Sequence, residues 1–335
     1  MSPPPLSART AAIHLLFALT LALCIAPATQ AHPPTTDPLP SWNEGPTKQA
    51  ILSFMARVTK EGGPGFVPVE DRIAVFDNDG TLWPEKPVIQ GAFLLDRLKT
   101  LAAKDPSLKQ RQPYKAALEG DVAYFMEAGE KAVMELIAAT QANQSDEQYE
   151  AEVRAFFKSA RHPKLDRPYT ELAYKPMTEL LDYLRANGFQ TWISSGGDID
   201  FMRVIAQKMY GIPPDQVIGT HLKKKFLAKN NSQGLWIEPE LDALNDKEGK
   251  PVGIDLHIGK RPVFAAGNVR SGGDVAMLEY SQGQKGPSFQ LIINHDDAQR
   301  EFAYQEKDNA TLTAARANRW NVVSMKRDWK IIFCP

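Results

Sequence analysis

Cysteine is almost absent from this chain: 335 residues contain two, Cys24 and Cys334. Cys24 lies in a segment that reads as removable, so the mature chain has no intramolecular disulfide and its core alone must hold the fold. Charge of one sign is missing as well. With 39 Lys and Arg against 40 Asp and Glu the net charge is −1, which excludes the basic footprint of a nucleic-acid partner. A membrane-spanning run is also lacking. The apolar stretch from Ala12 to Ala26 is shorter than the ~20 residues a spanning helix needs, and His14 interrupts it. No internal repeat is visible.

That short run does fit a targeting segment. Arg9 precedes it, and Ala28-Thr29-Gln30-Ala31 follows as an A-x-A-like cleavage site. Residues 1–31 are expected to be a signal peptide cleaved after Ala31. The mature protein would then be periplasmic or secreted, without stable membrane anchoring. Leu23 stands before Cys24 where a lipoprotein signal needs a small residue, so lipidation is not expected. Residues 32–46, rich in Pro, Thr and Ser, read as an extended lead-in.

What remains alternates. "TKQAILSFMARVTK" has helical spacing at Ile51, Phe54, Met55 and Val58. "RIAVF" is an unbroken apolar run, as in a parallel strand buried on both faces. From Pro84 to Lys175 the composition turns rich in Ala, Leu, Lys and Glu and reads as helices, with Ser145 or Asp146 capping one of them. The strand–helix rhythm then resumes through "FQTWISS", "RPVFAAGN", "FQLIINHDD" and "NVVSM". The fold class is therefore α/β, a doubly wound, mostly parallel sheet. Its core takes residues 47–83 and 176–335, and a helical insertion takes 84–175, after the first core strand.

Ligands of open α/β sheets bind at the carboxyl ends of strands. Three apolar strands here end in polar residues. "IAVF" leads to Asp77-Asn78-Asp79-Gly80-Thr81, "TWIS" to Ser195-Gly196-Gly197-Asp198, and "PVFAA" to Gly267-Asn268 and then Asp274. One such ending is an ordinary turn or cap signal. Three at one sheet edge point to a site.

These stretches resemble the motifs of the haloacid dehalogenase (HAD) superfamily, in the family's order over residues 70 to 300. "FDNDGTLW" is similar to motif I, "ISSGGD" to motif II in the form known from phosphoserine phosphatases, "GKPVGI" to motif III, and "AGNVRSGGDVAML" to a variant of motif IV. The resemblance implies a Rossmann-like core with a helical C1 cap at 84–175. It makes Asp77 the nucleophile and Asp79 the general acid–base, a residue that phosphatases carry and dehalogenases lack. It gives phosphate binding to Ser195, Gly196 and Lys250, with Lys247 as the rival lysine. A Mg²⁺ ion would neutralise the carboxylates and the phosphoryl group, drawing on Asp77, the Asp79 carbonyl, Asp274 and Asn268. Here the chain departs from the common motif IV. Asn268 brings no charge, and Val269 to Gly273 lengthen the gap to Asp274. Asp274 is the expected carboxylate ligand, with Asn268 a further oxygen.

Other candidates are plainer. His295, Asp296 and Asp297 read as an N-cap for a helix over "DAQREFAYQ" rather than as pocket residues. Trp83 is expected to pack at the cap hinge, and "HLKKKFLAK" to be a solvated strand or loop. Arg97, Lys99, Lys109, Arg111 and Lys115 suit an anionic ligand or a plain helix surface equally. The expected function is a secreted Mg²⁺-dependent phosphatase that hydrolyses small phosphomonoesters through an aspartyl-phosphate. Alternatives are a phosphotransferase or pyrophosphatase on the same machinery, or a catalytically weak phospho-ligand-binding protein. The oligomeric state stays open.

Overall fold

Pro46 opens the first helix at a position where its missing N–H costs nothing, and α1 (Pro46–Thr59) buries Ile51, Phe54, Met55 and Val58. The computed structural model describes residues 37–229, 232–270 and 273–334. The expected signal peptide, Cys24 and residues 32–36 lie outside the described residues. From Pro38 the lead-in is docked rather than free. Trp42 is buried and its Nε1 donates to the Pro176 carbonyl at 2.9 Å, while the Ser41 hydroxyl donates to Glu179 at 2.7 Å.

β1 (Ile73–Phe76) follows, with all four residues buried. The insertion then supplies α2 (Ile89–Lys104), α3 (Tyr114–Glu119), α4 (Val122–Gln141), the two-residue β2 (Gln144–Ser145) and α5 (Asp146–Ser159). α5 starts in a capping box: Ser145 and Gln148 satisfy each other's backbone N–H groups. α4 is kinked at Gly129, where φ is 67°. The chain returns through α6 (Lys175–Ala186), β3 (Gln190–Asp198), α7 (Ile199–Tyr210), β4 (Val217–Lys229) and β5 (Ser232–Ala243). It ends with α8 (Gly249–Ile258), β6 (Phe264–Asn268), α9 (Val275–Gln282), β7 (Phe289–Asn294), α10 (Ala310–Asn318), β8 (Asn321–Ser324) and α11 (Met325–Asp328).

The strands form one sheet in the order β2-β5-β4-β3-β1-β6-β7-β8. β1 lies parallel between β3 and β6. The chain runs outward through β3 and β4 on one side, then through β6, β7 and β8 on the other, so the winding reverses at β1. Alternation along the strands feeds two cores. Ala74, Phe76, Phe264, Ala266, Leu291 and Ile293 join one face, and Ile73, Val75, Ala265 and Ile292 the other. Each fully buried Val, Ile or Phe contributes about 1.5–3 kcal/mol, enough to hold charged residues at the strand tips. The insertion has a small core of its own around Leu98, Leu108, Tyr114 and Leu136.

One expectation is met and one changes. "HLKKKFLAK" belongs to β4, whose first residues pair with β3 and whose remainder forms a long antiparallel hairpin with β5. β5 carries no alternation that marked it as a strand. The helix expected over "DAQREFAYQ" is a turn followed by irregular chain. Asp297 does accept from the backbone N–H groups of Gln299 and Arg300, but the turn goes no further, because Asx turns and helix caps begin with the same residues. Among the described residues, no helix is long and apolar enough to cross a membrane.

Candidate active site

Asp77 is the first residue past β1, and its N–H extends the ladder by donating to the Ala266 carbonyl at 2.9 Å. The chain then folds back: Thr81 and Leu82 donate to the Asn78 carbonyl at 3.1 and 2.8 Å, and Gly80 N–H donates to the Trp83 carbonyl. Gly80 has φ 77°, and a Cβ there would run into the side-chain amide of Asn268. Only glycine meets both demands. The fold-back brings Trp83 beneath Asp79, and Trp83 Nε1 donates to Asp79 Oδ1 at 2.9 Å.

Lys250, in the first turn of α8, is 2% exposed. Its Nζ donates to Asp77 Oδ1 at 2.6 Å and to Asp274 Oδ1 at 2.5 Å. Asp274 Oδ2 accepts from the backbone N–H of Asn268 at 2.9 Å, which ties the end of β6 to the start of α9. Lys247, the rival lysine, is exposed in the preceding loop. Burial, and then the neighbouring Asp274, push the Asp77 carboxyl up to about 8, against the pull of Lys250. Burial also raises Asp79, opposed by Arg270 and the Trp83 N–H. Lys250 is held above its ordinary value: burial pulls it down, but Asp274 and Asp77 outweigh that.

Ser195 is buried at the end of β3, where the pairing with β4 shifts register between Ser194 and Asp198. The bulge frees the backbone of Gly196 and Gly197. Gly197 N–H donates to Ser195 Oγ at 3.1 Å. Two residues that the sequence did not mark hold this loop. Asn245 Nδ2 donates to Ser194 Oγ at 3.1 Å and to the Ser195 carbonyl at 2.9 Å. Thr220 Oγ1 donates to the Gly196 carbonyl at 2.8 Å.

Across the pocket, Asn268 Nδ2 donates to Glu85 Oε2 at 3.2 Å and to the Tyr304 hydroxyl at 3.1 Å. Arg270 pairs with the other Glu85 oxygen at 2.6 Å. None of Glu85, Arg270 and Tyr304 was singled out in the sequence. Arg270 falls in the stretched gap of the fourth motif, where its charge two residues after Asn268 was the available signal. His295 is not a helix cap: its Nε2 donates to the Gly80 carbonyl at 2.8 Å and its ring stacks on Tyr304 at 4.4 Å. It buttresses the first motif from behind. Of the insertion's basic residues, Arg97 pairs with Glu152 at 2.8 Å and Arg111 lies over the Tyr114 ring, as on a plain helix surface.

Four buried carboxylates, Asp77, Asp79, Glu85 and Asp274, gather here, against the cations Lys250 and Arg270. Among the described residues, no group of three or more His, Cys, Asp or Glu side chains is placed to hold a metal by itself. A cation would therefore draw on amide and backbone oxygens too. The buried Oδ1 of Asn268 has no partner among the described residues, an orphaned hard oxygen beside an acidic excess. This donor set fits an oxygen-liganded cation such as Mg²⁺.

Residues 74–278 match the model of the haloacid dehalogenase-like hydrolase family. No curated protein sequence matches this chain. Among solved structures, the chain is similar to a conserved functionally unknown protein from Anaerococcus prevotii DSM 20548, with 17% identity and a TM-score of 0.54 over 83% of this chain and 91% of that one. A phosphoserine phosphohydrolase-like protein from Francisella tularensis subsp. tularensis SCHU S4 aligns at 16% identity and a TM-score of 0.40, over 77% of this chain and 95% of that one. The first likeness speaks for the fold. The family match spans the three strand ends and the lysine that joins two of them, and the chain belongs to the haloacid dehalogenase-like hydrolases.

Proposed function

We propose that this chain is a Mg²⁺-dependent phosphatase that hydrolyses small phosphomonoesters through an aspartyl-phosphate on Asp77. The observation that carries the reading is the bridge of Lys250 to Asp77 and Asp274, with Asp79 two residues on and held by Trp83. An oxygen of Asp77 attacks phosphorus and the bond to the leaving oxygen breaks, with Asp79 delivering the proton that oxygen takes up. Water then attacks the phosphorus of the intermediate, its proton passes to Asp79, and the bond to Asp77 breaks. Ser195 and the backbone of Gly196 supply donors to the phosphoryl oxygens, and Lys250 adds positive charge.

Asp77, the Asp79 carbonyl, Asn268 and Asp274 would hold Mg²⁺. When bound, the ion offsets the charge of carboxylates and phosphoryl group. The mature protein works outside the cytoplasm in this reading, supported by Arg9, the apolar run and the Ala-rich cleavage-like site.

The neutral Asn268 favours one rival, a phospho-ligand-binding protein with weak catalysis. Purified mature protein assayed on a panel of phosphate esters, with and without Mg²⁺, separates the two. The phosphatase reading expects Mg²⁺-dependent phosphate release that Asp77→Asn abolishes. Binding of phosphate compounds with no release would transfer the assignment to the rival.

A further inference from the structure

The insertion meets the second motif through one side chain. Gln90, in the first turn of α2, accepts at Oε1 the backbone N–H of Asp198 at 2.8 Å. That bond fixes which way the amide faces, since only its oxygen can accept. Its other end, Nε2, is buried and has no partner among the described residues, and it crosses so close to Gly197 that any Cβ there would collide with it. A buried donor left unpaired is costly, so this contact has a reason beyond packing.

Gln90 lines a cavity of about 70 Å³ between the insertion and the loop that carries Gly196 and Gly197. Leu94, Met134 and Ile137 form its aliphatic side. A water molecule needs roughly 10–15 Å³ of such space, so the cavity takes a compact group of about five heavy atoms. Among the described residues no Lys or Arg lines it; Asp198 does, and His221, also in the lining, is turned to Asp242 at 3.4 Å, so an anionic group is disfavoured there. Size, apolar wall, absent cation and free donor agree on one occupant.

We propose that this cavity receives the leaving alcohol of the substrate, and that Gln90 Nε2 donates to an oxygen on it. This rests on the phosphatase reading above and narrows it. The substrates are phosphomonoesters of two- or three-carbon alcohols that carry a neutral hydroxyl or carbonyl, rather than phosphorylated amino acids or sugars. Gln90 is then a specificity residue supplied by the insertion.

The test compares kcat/KM for 2-hydroxyethyl phosphate, propyl phosphate, phosphoserine and glucose 6-phosphate in wild type, Gln90→Leu and Gln90→Glu. Gln90→Glu keeps an acceptor for the Asp198 N–H and removes the donor but adds a charge, so the ratio between the hydroxyethyl and propyl esters, rather than the absolute rate, reads the hydrogen bond in both variants. Wild type should prefer the hydroxyethyl ester over the propyl ester by about 10-fold or more, because a site built around a hydrogen bond rejects the ligand that lacks it. Both variants should lose that preference, with kcat/KM for the two esters falling to within about 3-fold of each other in each variant. Equal loss on both esters, or better turnover of phosphoserine or glucose 6-phosphate, overturns the inference alone. Wild-type inactivity on these four esters with activity elsewhere on the ester panel overturns this inference alone, and binding without release across the whole panel overturns the phosphatase reading and this inference with it.

Discussion

The indole N–H of Trp83 donates to Asp79 at 2.9 Å from four residues further along the chain. The ring is fully buried, and it packs against Phe157 and Phe201 at centroid distances of 6.3 and 6.5 Å. The hydrophobic core thus aims the candidate proton shuttle. Trp83→Phe keeps the ring packing and removes the donor. Asp79 loses a group that favours its ionised form, so its carboxyl titrates higher, and the pH profile of kcat should move upward with kcat down about 10-fold. An unchanged profile would detach Trp83 from the chemistry.

Among the described residues, Lys250 is the only side chain that holds Asp77 and Asp274 together, so Lys250→Met leaves two carboxylates buried without their cation. Removing one partner of a buried pair costs about 3–5 kcal/mol, read from urea unfolding, and phosphate release should vanish. The double variant Lys250→Met with Asp274→Asn should recover part of the stability but none of the activity. Recovery of activity would remove Lys250 from the reaction.

Asp198 gives a pH signature in stability. Burial first, then the charge of Asp200, push its carboxyl up to about 7 from 3.8. Between those values the unfolded chain has released a proton that the folded chain keeps. Stability should therefore fall as pH rises from about 4 to about 7 and change no further above that, as far as this group is concerned. Asp198→Asn retains a good N-cap for α7 and removes that contribution, so the difference between the two proteins' unfolding free energies should run along this window. A difference that stays flat from pH 4 to 8 would contradict the assignment.

Asn268 can be converted to the acid its position lacks. Asn268→Asp places a second carboxylate against Glu85, which now accepts from the Asn268 amide, so the metal-free protein should melt lower. Mg²⁺ relieves that repulsion, so calorimetry should show tighter Mg²⁺ binding and melting scans a larger Mg²⁺-induced rise in Tm. Weaker Mg²⁺ binding would place the ion away from Asn268.

The candidate site was legible where its residues are neighbours in sequence. Asp77, Asp79 and Gly80 sit in one run behind four apolar residues, and that run declares both strand and loop. Glu85, Arg270, Asn245 and Tyr304 come from irregular segments with no period to read. They meet through folding, so their chemistry is invisible until Asn268 and the Ser195 loop stand next to them. The parallel core was readable from buried apolar runs for the same local reason. The β4–β5 hairpin was not, because much of it is solvated and Lys223, Lys225 and Phe226 follow no single inward face. His295 was misread since a residue behind a loop and a residue capping a helix can share the same sequence neighbours.

The insertion is also sewn into the sheet. Gln144 and Ser145 of β2 pair with Ile237 and Trp236 of β5, far from the two points where the insertion leaves and rejoins the core. A body fastened along a third seam does not swing open like a door on two hinges. The softer path into the Asp77 pocket is then expected between α2 and α4, which meet through a small core of their own and of which α4 is already bent at Gly129. Exchange of substrate and product should then track the looseness of two helices, while the sheet behind them stays still.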